Sequence, residues 1–223
     1  MIGNLNFFSK IILADKPLDY TSADIVHIFK KNFRINKIGH AGTLDPKATG
    51  LLILCTDKMT KAIDKFMNLE KEYSGILRIG AVTKTSDTES EEENPVDVSQ
   101  ITDADIENVR KRFEGETEQI PPMHSAVKYK GKPLYKLARK GKVIERQPKK
   151  VFIKDFTVNR LNETEIYFKL TCSKGTYIRV LASDFGESLG VGAYLKSLRR
   201  LRIGEFTTEN LTEEINHIKY III

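Results

Sequence analysis

The stretch TEIYFKLTCS, Thr164 to Ser173, alternates without a slip. Ile166, Phe168, Leu170 and Cys172 fall on one face, and Tyr167, Lys169 and Thr171 on the other. A period of two sustained over this length is a half-buried strand, so the chain must supply something to cover its apolar face. Helical signals occur on either side. TSADIVHIFKKNF opens with a capping box, Thr21 with Asp24, and places Ile25, Ile28, Phe29 and Phe33 on one helical face. ITDADIENVRKRFEG repeats the device with Thr102 and Asp105, ahead of the stripe Ile106, Val109 and Phe113. TKAIDKFM is expected to be a short helix, and YIRVLASDFGESL and GAYLKSLRRL longer ones; LLILC reads as a buried strand and EYSGILRIG as another. The stretch ESEEENPVD is expected to be a mobile acidic loop. With 223 residues, no internal repeat and no linker before Gly204, one large domain is the expectation.

Several classes are disfavoured. Apolar runs fall far short of a membrane span, and the N-terminus MIGNLNFFSKIILADKP lacks the basic, apolar, small-residue order of a secretory signal. A cytoplasmic protein is expected. Cys55 and Cys172 are far apart and sit in apolar or alternating stretches, which fits core thiols in a reducing compartment. There is no Walker loop, no G-x-G-x-x-G between a strand and a helix, and no G-x-S-x-G elbow. His27, His40, His124 and His217 show no metal-ligand spacing, so no metal is expected.

The formal charge of +6 is unevenly spread. Between Thr85 and Val109 there is no Lys or Arg, while Asp87, Glu89, Glu91, Glu92, Glu93, Asp97, Asp103, Asp105 and Glu107 crowd together. From Lys128 to Lys150 the balance inverts, with Lys128, Lys130, Lys136 and Arg139 among the cations and Tyr129 and Tyr135 interleaved. A second basic cluster holds Lys196, Arg199, Arg200 and Arg202. Two basic segments with interleaved aromatics point to nucleic acid.

One acid stands apart. In GHAGTLDPKATGLLIL, Asp45 lies in a loop bracketed by Gly39, Gly42 and Gly50 and followed by an apolar run. Asp before Pro is ordinarily an N-cap or an Asx-turn. Flanking glycines and the hydroxyls of Thr43 and Thr49 also suit a loop whose backbone approaches a ligand closely.

This stretch resembles the signature of the TruB family of tRNA pseudouridine synthases. Four further segments resemble that family in its order: DKPLDYTS, KEYSGILRIGAVTKTSDT, PPMHSAVKYKGKPLYKLARKG and CSKGTYIRVLASDFGESLGVGAYLKSLRRLRIGEF. Together they cover nearly all of residues 11–206. The resemblance implies a mixed α/β fold on a central, mainly antiparallel sheet with flanking helices and a catalytic cleft. It implies isomerisation of the T-loop uridine of tRNA, position 55, without cofactor or metal. By the same resemblance Asp45 is the catalytic carboxylate, which attacks ribose C1′ or removes the 2′ proton. Arg179 pairs with it, and Tyr73 packs on the target base and is placed to take the C5 proton. Leu198 lines the uracil pocket, His40 stacks on nucleotides of the opened loop, and Lys16 supports the catalytic loop. Lys128, Lys130, Tyr135, Lys136, Arg139, Arg199 and Arg200 are expected to contact the T stem-loop. A different class, a tRNA-binding and folding module with incidental activity, is the alternative.

Two departures from the family pattern are visible. Asp19 stands where the first motif usually has Gly; if the turn needs a positive φ, Asp tolerates it better than most residues. After Gly204 only EFTTENLTEEINHIKYIII remains. The expected organisation is a catalytic domain over 1–206, including a tRNA-contacting segment 121–150, and a short tail 207–223 without a PUA-type domain. The expected absence of that domain argues against the guide-RNA-dependent relatives, which need it to seat their RNA, and a monomer is expected.

Overall fold

A computed structural model describes residues 9–125 and 127–223. Met1 to Phe8, on which part of the signal-sequence expectation falls, and Ala126 lie outside the described residues. The chain divides into two compact units, residues 1–74 with 198–223, and residues 75–197.

The first unit opens with β1 (Ile11–Lys16), α1 (Ser22–Asn32), β2 (Ile38–His40) and β3 (Ala48–Thr56). A 3-10 turn over Asp57–Ala62 leads into α2 (Ile63–Asn68) and then β4 (Lys71–Ile79), along which the chain passes into the second unit. There follow β5 (Val82–Thr83), β6 (Glu92–Glu93), α3 (Asp103–Arg112), β7 (Gly115–Gln119), β8 (Lys128–Tyr129) and β9 (Lys132–Pro133). Next come α4 (Leu134–Ala138), β10 (Lys149–Arg160), β11 (Glu165–Cys172) and α5 (Ile178–Leu189). Strand β12 (Ala193–Ile203) returns to the first unit, completed by β13 (Phe206–Thr207), β14 (Glu213–Ile215) and β15 (Ile218–Ile222).

In the first unit the strands lie in the order β14, β15, β1, β3, β12. All pairs are antiparallel except β3 with β12, where Leu198 is opposite Ala48 and Arg200 opposite Gly50. Both faces are covered. Ile12, Ala14, Leu52 and Leu54 pack with Ile25 and Phe29 of α1, while Leu13, Leu51, Ile53 and Cys55 meet Ile63 and Phe66 on the other side. That is why LLILC is a continuous apolar run rather than an alternating one. The capping box of α1 forms as the sequence predicts.

The second unit orders its strands β4, β11, β10, β7. Ile166, Phe168, Leu170 and Cys172 of β11 are buried as the alternation requires, and Phe156 makes edge contacts both with Phe168 and with Phe185 of α5. The second capping box, Thr102 with Asp105, is also present.

Two expectations change, for GAYLKSLRRL and the acidic segment, and two elements go beyond what the sequence predicts. GAYLKSLRRL is strand, not helix: Leu195, Leu198 and Leu201 recur with helix-like spacing, but pairing with β3 fixes the backbone as extended. The longest strand, β10, has no clean alternation because its register shifts between Ile153 and Asp155, a bulge that hides the period of two. The acidic segment is held by the β5–β6 pairing of Val82 with Glu93. The tail is part of the sheet, with β15 zipped onto β1 and Ile218 and Tyr220 in the core.

Candidate active site

Asp45 lies in the connection 41–47 between β2 and β3, whose register sets His40 opposite Leu54. Within the first unit this loop is tied down at many points. Ala41 N–H donates to Ile53 O at 2.8 Å, and Ala48 N–H to Asp45 O at 3.0 Å. The buried Ser22 hydroxyl, in the first turn of α1, accepts from Leu44 N at 2.9 Å and lies 3.2 Å from Leu44 O. Leu44 and Ala41 are buried, while Asp45 is half-buried. The apolar neighbours anchor the loop beside the half-buried Asp45.

The first-motif turn docks on the same loop. Asp19 has φ +64, the left-handed conformation that Gly would adopt there, and its N–H donates to Pro46 O at 2.9 Å. Lys47 closes the contact with an ion pair to Asp19 at 2.7 Å. Lys16, at the end of β1, is fully buried. Its ammonium donates to Tyr20 O at 2.6 Å, Pro17 O at 2.9 Å and Pro46 O at 3.3 Å. Burial pushes its pKa down to about 8, and Arg200 adds to the shift, while the charges of Asp45 and Asp19 oppose it. The Lys16 ammonium thus ties the 17–20 turn to the loop that carries Asp45.

Leu198 is half-buried on β12 directly opposite Ala48, and Thr49 Oγ1 lies 3.4 Å from its carbonyl. Tyr73 is buried on β4, 9% exposed. His40 is half-buried, with its Nδ1 screened from solvent and unpaired among the described residues. Burial and then the Arg200 charge hold its pKa below the ordinary 6.5, so the ring is neutral at pH 7.

Two residues expected on phosphates are placed differently. Arg200 is 1% exposed, with its guanidinium turned inward onto backbone carbonyls. A central strand carries it into the core, so it has no surface on which to meet a phosphate. Arg199 is partly exposed but forms a two-point pair with Asp15, at 2.9 and 2.6 Å.

In the second unit, Arg179 projects from the first turn of α5 and is 7% exposed. It donates to Thr85 O at 3.2 Å and His124 O at 2.9 Å, and its Nε lies 3.5 Å from Asp87 Oδ2. Asp87 is itself buried and oriented by Thr85 Oγ1 at 2.6 Å and Glu89 N–H at 3.0 Å. Sequence reasoning missed it by counting it with the solvated acids; its flanking hydroxyls, in TKTSDT, were the available signal. The buried Gln119 side chain fixes the start of α5 by bonding both N–H and C=O of Tyr177.

The basic segment folds as a small hairpin, β8 with β9, running into α4 and anchored by the buried Leu134. Lys130 and Gly131 both take positive φ at its turn. Lys128, Lys130, Lys136 and Arg139 are exposed. Lys130 lies over the Tyr129 ring at 5.5 Å and Arg139 over Tyr135 at 5.6 Å, pre-stacked pairs of cation and aromatic. Among the described residues no group of three or more His, Cys, Asp or Glu is placed to hold a metal ion, and no helix is long and apolar enough to cross a membrane.

Residues 30–178 match the TruB family pseudouridylate synthase N-terminal domain. The chain belongs to the TruB family. Similar proteins include the tRNA pseudouridine synthase B of Chlorobium chlorochromatii (strain CaD3), 45% identical over 90% of this chain and 81% of that protein. That of Clostridium tetani (strain Massachusetts / E88) is 46% identical, over 92% of this chain and 72% of its own. Among solved structures, a chain of a Cbf5–Nop10–Gar1 complex superposes with TM-score 0.73 at 29% identity, covering 93% of this chain. A chain of an H/ACA RNP bound to a substrate RNA containing 2′-deoxyuridine gives 0.68 at 26%, covering 92%. This chain spans about half the length of those two, 52% and 50%. The TruB-family fold is thus present: mixed α/β, with a large, mostly antiparallel sheet and flanking helices.

Proposed function

We propose that this TruB-family chain converts uridine 55, in the T loop of tRNA, to pseudouridine. The observation that carries the reading is Asp45, one half-buried carboxylate on a loop secured by Ser22, Lys16 and Arg200. Relatives 45% and 46% identical bear the name tRNA pseudouridine synthase B.

The reaction breaks the C1′–N1 bond, turns the uracil and forms a C1′–C5 bond; C5 loses a proton and N1 gains one. Asp45 acts at the sugar, as nucleophile on C1′ or as base at the 2′ position, and either role needs it ionised. The family resemblance gives Arg179 the task of keeping that carboxylate ionised, as a guanidinium can. Tyr73 stacks on the uracil and takes the C5 proton, Leu198 packs against the base, and His40 replaces stacking lost when the loop opens. Extruding the base costs a few kcal/mol, which contacts elsewhere must offset. The exposed cations of the β8–β9 hairpin and α4 supply them by holding T stem-loop phosphates, assisted by Tyr129 and Tyr135. The protein acts as a cytoplasmic monomer without a metal.

The deciding experiment incubates the protein with an unmodified tRNA transcript and maps pseudouridine by carbodiimide adduct and primer extension, with Asp45→Asn in parallel. One T-loop stop that vanishes in the variant is expected. Binding without a stop from either protein would sink the reading and favour a tRNA-folding module.

A further inference from the structure

Arg200 heads the fully buried side chains of the protein by size. Its Nε donates to Leu51 O at 2.7 Å and its Nη2 to Gly42 O at 3.2 Å. These carbonyls lie on either side of Asp45, one before it in the loop and one after it in β3. Two glycines on left-handed φ lie beside the arginine, one against its backbone and one in ordinary contact with its guanidinium. Gly50 has φ +103, and a Cβ there would stand 2.2 Å from the Arg200 carbonyl oxygen; Gly42 has φ +97, and a Cβ there would sit 3.6 Å from Nη1.

A buried cation is a poor device for stability alone, because its desolvation is costly and an apolar side chain fills the same space more cheaply. It is a good device for geometry. A guanidinium is a rigid planar fork whose donors diverge at fixed angles, so two carbonyls bound to one fork are fixed relative to each other. Lys16 reaches the loop at Pro46 O, next to Asp45, but an ammonium on a flexible stem fixes direction less sharply. A catalytic group must be held to a fraction of an ångström, and a displacement of about 1 Å costs on the order of 100-fold in rate.

We propose that Arg200 is a positioning residue for the isomerisation: its guanidinium clamps Gly42 and Leu51, the two sides of the Asp45 loop, and thereby sets the distance from carboxylate to ribose without touching RNA. This rests on the synthase reading above. The clamp also places a permanent positive charge where it disfavours protonation of His40. That gives a readout separate from turnover.

The test compares wild type, Arg200→Lys and Arg200→Met for single-turnover rate, tRNA dissociation constant across a salt series, melting temperature and the His40 imidazole titration by NMR. Arg200→Lys, which keeps the charge and loses the fork, is expected to react about 100-fold more slowly. Its tRNA affinity should stay within about twofold and its salt slope should not change. In Arg200→Met the same rate loss is expected, with the His40 titration moved to higher pH. Rates within twofold of wild type in both folded variants would overturn the proposal. Weakened binding with a shallower salt slope and an intact rate would overturn it in favour of a phosphate contact. Loss of folding in both variants would make Arg200 a structural residue and overturn it likewise. A wild-type protein that leaves the transcript unmodified overturns the synthase reading itself, a result distinct from active variants beside an active wild type.

Discussion

Asp87 shows how burial changes the meaning of an acid. In the sequence it is one of nine acids between Thr85 and Val109 and looks like part of a solvated face; in the structure it is 3% exposed and 3.5 Å from the Arg179 guanidinium. Removing its charge takes a buried acid away from a buried cation, and breaking such a pair commonly costs several kcal/mol or displaces the cation. On the proposed role of Arg179 in keeping the Asp45 carboxylate ionised, Asp87→Asn is expected to lower the single-turnover rate by about 100-fold while tRNA affinity holds within about twofold, since a displaced Arg179 would affect rate more than grip. Filter binding alongside the turnover assay checks both halves. That Asp45 sits in a loop ahead of a buried strand was legible, because Gly39, Gly42 and Gly50 and the run LLILC stand beside it in the chain. Arg200 and Asp87 were not, because nothing local marks a charged side chain as buried. Their partners, Gly42 and Leu51 for one and Arg179 for the other, are remote in sequence.

Among the elements, those with a clean period or a cap were readable. Helices α1 and α3 begin at their capping boxes, and β11 alternates throughout. Strand β12 was not readable, since a strand flanked on both sides needs no alternation and its leucines mimic a helix stripe. Strand β10 was hidden by its bulge. The parallel contact of β12 with β3 makes a sharp prediction at Gly50. Any side chain there meets Arg200 backbone at 2.2 Å on a left-handed φ, so Gly50→Ala is expected to destabilise by about 4 kcal/mol or more. A thermal melt showing less than a few degrees of change would contradict the close approach. Gly115, also at positive φ but with open space around it, is the natural control and should lose only about 1 kcal/mol from backbone strain.

For the molecule as a whole, burial of titratable groups sets an alkaline limit. Lys16 gives up its proton near pH 8 when folded but only near 10.5 when unfolded, so its contribution to stability rises with pH across that window. Cys55, raised to about 11, and Tyr194 and Tyr220, raised to about 12, act in the opposite sense: burial holds their protons after the unfolded chain has released its own, near 9 for the thiol and 10 for the phenols. Three groups against one predict a melting temperature that falls above pH 10. In Tyr220→Phe the fall should be shallower, although the baseline is lower because the bond to Glu213 is lost. Parallel curves for the two proteins would contradict the assignment. One feature of the sheet also bears on biosynthesis. Strand β15 pairs with β1 in register, Ile12 opposite Ile222, and the first unit joins residues 1–74 to 198–223 across an intervening unit that is continuous in the chain. On the ribosome the intervening unit can close as soon as it emerges, whereas β1 and the loop that carries Asp45 must wait, unpaired along one edge, until the last residues of the first unit are made. The order of translation thus leaves the strands around the Asp45 loop to be completed last.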